Sequence, residues 1–115
     1  MRAFKLTNGV LSTSATYKSS MVFPDRGGAH AVSASGSSNG ILWAVQRNGT
    51  TAPAVLFAFD PANSSNGVLN KLWDSSQSGT RDTMDVAAKF TIPLVANGRV
   101  FVTGQTQLTV YGLLP

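Results

Sequence analysis

Apolar residues in this chain fall into short clusters separated by polar turns. Residues 40–46 (GILWAVQ), 54–59 (AVLFAF), 91–96 (TIPLVA), 99–103 (RVFVT) and 107–112 (QLTVYG) are rich in Val, Ile, Phe, Tyr and Thr, and Gly, Asn, Asp or Pro bounds each one. Branched and aromatic side chains suit a pleated, partly buried surface, so these runs predict strands. Asn97-Gly98 lies between two of them; both residues tolerate positive φ, which predicts a tight hairpin. Ser38-Asn39-Gly40 repeats the cue ahead of GILWAV. No window of useful length carries the three-four spacing of an amphipathic helix. The predicted fold class is all-β.

The pattern also repeats within the chain. "AVSASGSSNGILWAVQRNGTTAPAVLFAFDP" (31–61) and "PLVANGRVFVTGQTQLTVYGLLP" (93–115) both read strand, Asn-Gly turn, hydrophobic strand, polar loop, then a strand ending in an aromatic. "RAFKLTNGVLSTSATYKSS" (2–20) and "LFAFDPANSSNGVLNKLWDSS" (56–76) share an apolar strand, the turn Asn-Gly-Val-Leu and an outer segment ending in an aromatic. Tyr17 takes the place of Trp73. With the strands of one unit lettered a to d from inside to outside, the chain reads c-d, then a-b-c-d, then a-b-c. The period is roughly 45–60 residues, stretched by the insert 61–70 and the loop 77–90. Repeating four-stranded antiparallel sheets of this size are β-propeller blades. The expected organisation of 1–115 is a single partial propeller domain: a partial blade over 1–20, a complete one over 28–76, and a partial one over 91–115.

Ala58-x-Asp60, a polar loop and Lys71-x-Trp73 resemble the tryptophan-docking motif of the quinoprotein (PQQ-like) propeller repeat, and "KFTIPLVANGRVFVTGQTQLTVYGLLP" looks like the final blade of bacterial proteins of that kind. The family's Thr-Gly turn is replaced here by "PANSSNGVLN", and Tyr17 stands where the first unit would carry Trp. The resemblance implies structural roles for two residues. Trp73 docks between blades with its indole N–H on a backbone acceptor, and Asp60 caps the turn by accepting backbone amides. Nothing in the chain reproduces a quinone-cradling or calcium-binding set, so no cofactor is expected. The resemblance further suggests a parent exported from a bacterial cell.

Composition narrows the partners. Only 12% of residues are charged, roughly half the usual share, and a surface this poor in charge suits an interface. The net charge is +4, yet the basic residues are scattered with no two adjacent, unlike a nucleic-acid footprint. The chain has no cysteine, hence no disulfide or thiolate site. No apolar run approaches the roughly 20 residues of a membrane-spanning helix, and MRAFKL carries no signal-peptide core. A ring needs at least about four blades, and about two are present. The expected partner is therefore the chain itself, two to four copies joined head-to-tail, and a truncated piece of a longer product is a compatible alternative.

Candidate chemistry is sparse. His30 is the lone histidine, and neither H-E-x-x-H nor G-x-S-x-G occurs. There are five carboxylates, all Asp. "SGTRDTMDVAAKF" (78–90) gathers Arg81, Asp82, Asp85 and Lys89, while "FPDRGGAH" (23–30) offers Asp25, Arg26 and His30. These loops and the turns at 47–53 and 104–106 line the face where propellers bind ligands. His30, Asp82, Asp85 and Arg81 are the catalytic candidates; Asp25, Arg26, Arg47 and Lys89 are candidates for holding a small polar ligand. No metal site is expected. Asn48-Gly49-Thr50 and Asn63-Ser64-Ser65 fit the glycosylation sequon, a match common by chance in Asn- and Ser-rich chains. Two functions follow: a self-assembling structural or ligand-binding module, or a hydrolase whose Asp, His and Arg groups meet at a subunit interface or ring axis.

Overall fold

The computed structural model describes residues 1–25 and 28–113, and every regular element among them is a β-strand. The chain opens with four two-residue strands, β1 (Arg2–Ala3), β2 (Leu6–Thr7), β3 (Val10–Leu11) and β4 (Tyr17–Lys18). A four-stranded antiparallel meander follows in β5 (Gly28–Ser35), β6 (Ser38–Asn48), β7 (Ala52–Ser65) and β8 (Val68–Asp74). Three shorter strands, β9 (Leu94–Ala96), β10 (Arg99–Thr103) and β11 (Leu108–Tyr111), close the chain as a second antiparallel meander. The first meander extends to six strands in the order β1-β4-β8-β7-β6-β5, because β4 joins β8 in parallel at Lys18 and Val68. The N-terminal strands are thus hydrogen-bonded to the margin of the central sheet, and that sheet curls into a half-barrel.

Two cores lie on opposite faces of the curled sheet. On one face Val45, Ala54 and Leu56 pack with Met84, Ala87, Val100 and Val102, joining the sheet to β10 and the 77–90 loop. On the other, Leu42, Ala44, Phe57, Phe59 and Leu69 are covered by Met1, Tyr17, Met21 and Phe23. A strand with a layer on each face has no solvent side, so its sequence loses the alternation of a half-buried strand. That is why Leu56, Phe57, Ala58 and Phe59 are apolar at every position and all buried. Phe23 is seated on Gly28, where a Cβ would fall 2.6 Å from the ring.

The internal repeat is visible in the hydrogen bonds. Ala3 pairs with Tyr17 as Ala58 pairs with Trp73, and Arg2 pairs with Lys18 as Phe57 pairs with Asp74. Ser19 N donates to Met1 O at 3.0 Å, and Ser75 N to Leu56 O at 3.0 Å. The same two serines accept at Oγ from Met1 N (2.8 Å) and Leu56 N (3.1 Å). Both hairpins turn at Asn-Gly with positive φ: Asn8 (50°) and Gly9 (80°), Asn66 (53°) and Gly67 (76°).

Three local expectations are refined. Asn97-Gly98 is the β9–β10 turn, with φ of 49° and 71°. The β5–β6 turn, however, is Gly36-Ser37, and Asn39 (φ 54°) sits inside β6 beside a bulge. The 61–70 insert is not a loop. β7 continues to Ser65 and β8 begins at Val68, with a register shift between Asp60 and Ser64. A second shift, between Ala58 and Phe59, leaves Leu72 unpaired between Lys71 and Trp73.

Candidate functional site

Asp60 faces the widened register of β7. Its Oδ1 accepts the amides of Ala62 (2.8 Å) and Asn63 (3.1 Å), and its Oδ2 accepts Asn63 Nδ2 at 2.8 Å. The bulge removes those amides from the ladder, and the carboxylate replaces their lost partners. The Asn63 side chain and the Ala62 amide hold the Asp60 carboxyl below its ordinary value. Trp73 stands at the seam between the two meanders. Its ring meets Tyr111 of β11 edge-on, with centroids 5.5 Å apart and planes at 68°. The Tyr111 hydroxyl donates to Asp82 O at 3.0 Å, and burial pushes its pKa up. The other indole, Trp43, donates to Ser33 Oγ at 2.9 Å.

The 77–90 loop carries three of the four catalytic candidates, and the Asp85 side chain ties it to the β10–β11 turn. Asp82 is gripped by its neighbour: Arg81 Nε and Nη2 each donate to one carboxylate oxygen at 2.7 Å. This hydrogen-bonded pairing lowers the pKa of Asp82 and raises that of Arg81. Asp85 reaches the β10–β11 turn, where Oδ2 accepts Thr106 N (2.7 Å) and Thr106 Oγ1 (2.9 Å), while Oδ1 accepts Val86 N at 2.7 Å. The Thr106 amide and hydroxyl lower its pKa. Gly104 makes this approach possible, since a Cβ there would lie 2.6 Å from Asp85 Cβ. Backbone bonds from Ala54 N to Asp85 O (3.2 Å) and from Gln105 N to Val86 O (2.9 Å) complete the attachment. All four side-chain carboxylate oxygens of Asp82 and Asp85 thus accept hydrogen bonds within the protein.

The ligand candidates converge better. Asp25, Arg47 and Lys89 line one open cleft of ≈ 270 Å³, walled by Val45, Ala87 and Phe90. Arg47 is 8% exposed; its Nη1 is bonded to Asp25 Oδ2, and its Nε donates to Ala87 O at 3.3 Å. Two guanidinium nitrogens are therefore engaged within the protein, and among the described residues Lys89 is the exposed cation of the cleft. Arg26 lies outside the described residues. His30 is exposed on β5 and lines a different groove, ≈ 530 Å³, to which neither Asp82 nor Asp85 contributes. Among the described residues, no three of His, Asp or Glu gather as metal ligands would.

The fifth carboxylate, Asp74, was not among the sequence candidates and is the most buried of them, at 3% exposure. It accepts Lys71 Nζ at Oδ2, and at Oδ1 it accepts Ser76 N (2.9 Å) and Ser76 Oγ (2.6 Å). Burial pushes its pKa up, but the Lys71 and Ser76 bonds outweigh that and leave it lowered. The signal for it lay in the repeat, where Trp73-Asp74-Ser75-Ser76 aligns with Tyr17-Lys18-Ser19-Ser20: the serines persist and the charge reverses. Compared with known proteins, the chain matches no family model, no curated relative and no solved structure.

Proposed function

We propose that the chain is a structural and binding module built from propeller blades of the quinoprotein-like kind, completed by two to four copies of itself and presenting its loops to a small polar ligand. The observation that carries this reading is the uncovered side of the second meander. Leu94 is paired with Phe101, and Phe101 with Val110, so these side chains form one row across three strands, with Leu108 beside them. Leu94, Leu108 and Val110 are 63%, 58% and 45% exposed, while the opposite face is buried against the central sheet. A sheet with one face packed and an apolar face open is short of a layer. The outer edge of β11 also has no strand partner among the described residues, and such an edge invites another chain. The repeated hairpin hydrogen bonds supply the second support, since a repeat unit that cannot bury its own face does so by stacking on the next.

Native mass spectrometry at micromolar concentration tests this. Assemblies of two to four copies are expected, and Val110→Lys with Leu108→Lys should dissociate them while leaving the strand content unchanged by circular dichroism. A monomer at that concentration refutes the reading.

A further inference from the structure

The central sheet curls until its two margins face one another, and the groove between them has an unbalanced charge. Arg2 and Lys18 line it from β1 and β4, and His30 lines it from β5. Arg2 and Lys18 are directly opposed in the antiparallel pair, an arrangement of like charges that disfavours the pairing unless something neutralises it. Among the described residues, no acid lines the groove. The protein has five side-chain carboxylates, and each is engaged elsewhere: Asp25 with Arg47, Asp60 with Ala62 and Asn63, Asp74 with Lys71 and Ser76, Asp82 with Arg81, and Asp85 with Thr106. Among the described residues, no carboxylate is thus left to supply the counter-charge for Arg2 and Lys18. The remaining wall is apolar, formed by Met21 and by Phe23 on Gly28. Gln46 Nε2 fixes this segment by donating to Val22 O at 2.6 Å. A volume of ≈ 530 Å³ falls in the small-molecule range, and cations lining a concave surface concentrate anions there.

We propose that this groove binds an organic anion: a carboxylate or phosphate, held by Arg2, Lys18 and His30, joined to an apolar body that lies on Met21 and Phe23. The inference names a ligand class for the binding module above but uses different residues. A monomer would overturn the assembly and leave this groove unaffected, whereas absence of anion binding would leave the assembly unaffected.

The test is a titration of the whole protein followed by amide NMR shifts, with phenyl phosphate, phenylacetate, inorganic phosphate and the neutral 2-phenylethanol as probes. Saturable shifts at Arg2, Lys18 and His30 are expected with the two aromatic anions, weaker binding with inorganic phosphate, and none with the alcohol. Raising the salt should weaken binding through screening. Arg2→Ala and Lys18→Ala should each weaken it about fivefold, as an exposed charge pair does, while Lys5→Ala and Arg99→Ala leave it unchanged. Relieving the like-charge pair should leave the variants folded. Should either nevertheless unfold, the salt dependence and the alcohol control in the unaltered protein still decide. Binding of the alcohol as tight as that of the anions, insensitivity to salt, or shifts spread over the surface without saturation would each overturn the proposal.

Discussion

The contact between Trp73 and Tyr111 joins the two meanders, and its strength can be worked out and measured. Truncating a fully buried aromatic to Ala costs about 3–5 kcal/mol. Both rings here keep part of their surface in solvent, so Trp73→Ala and Tyr111→Ala are each expected to cost about 2 kcal/mol. Tyr111 loses in addition its hydroxyl bond to Asp82 O, which adds about 1 kcal/mol. The edge-to-face geometry contributes about 0.5–1.5 kcal/mol beyond the buried area. The double variant should therefore be less destabilised than the sum of the singles by about 1 kcal/mol. Tyr111→Phe should lose only the hydroxyl share and retain the coupling. Urea unfolding followed through Trp43, the tryptophan left in every variant, gives all the terms. Additivity within about 0.3 kcal/mol would refute the claim that these rings form the seam.

Three further outcomes follow from the same structure. Asp25→Ala should destabilise the protein by about 2 kcal/mol in urea, because Arg47 would be left nearly buried without its carboxylate; the value is below that of a fully buried pair, since Asp25 keeps 25% of its side-chain surface exposed. Gly104→Ala should detach the 77–90 loop by driving a Cβ into Asp85, read as faster hydrogen exchange at Val86 and Thr106; unchanged exchange would contradict the close approach. In acid, Asp74 binds a proton less readily folded than unfolded, so its contribution is complete above its ordinary pKa of 3.8 and is lost as the pH falls through the lower folded value. Thermal unfolding from about pH 6 down to about pH 2 should show this loss, and Asp74→Asn should reduce it.

Much of the β architecture was legible because its signals are local. The runs at 54–59 and 99–103, and the Asn-Gly pair at 97–98, each specify a strand or a turn through side-chain shape and permitted φ, and all three appear in the fold. Asn39-Gly40 misled because Gly36 supplies a positive φ of 60° three residues before Asn39. Either glycine can serve a turn, and the choice rests on how β5 registers with β6. The 61–70 segment read as a loop because its residues are polar, yet polar residues also extend a hairpin that projects beyond the core. Asp74 escaped notice because its importance comes from burial, which Trp73-Asp74-Ser75 does not reveal.

By itself, the sequence determined that this is a β protein with no helical stretch and a repeated Asn-Gly hairpin. These properties depend on neighbours a few residues apart. Only the tertiary structure decided that β4 docks in parallel on β8, that the sheet curls until Arg2, Lys18 and His30 share a groove, and that every aspartate is already engaged. Such facts depend on which distant residues meet. Meeting is settled by the packing of two cores on opposite faces of one sheet, which no local pattern encodes.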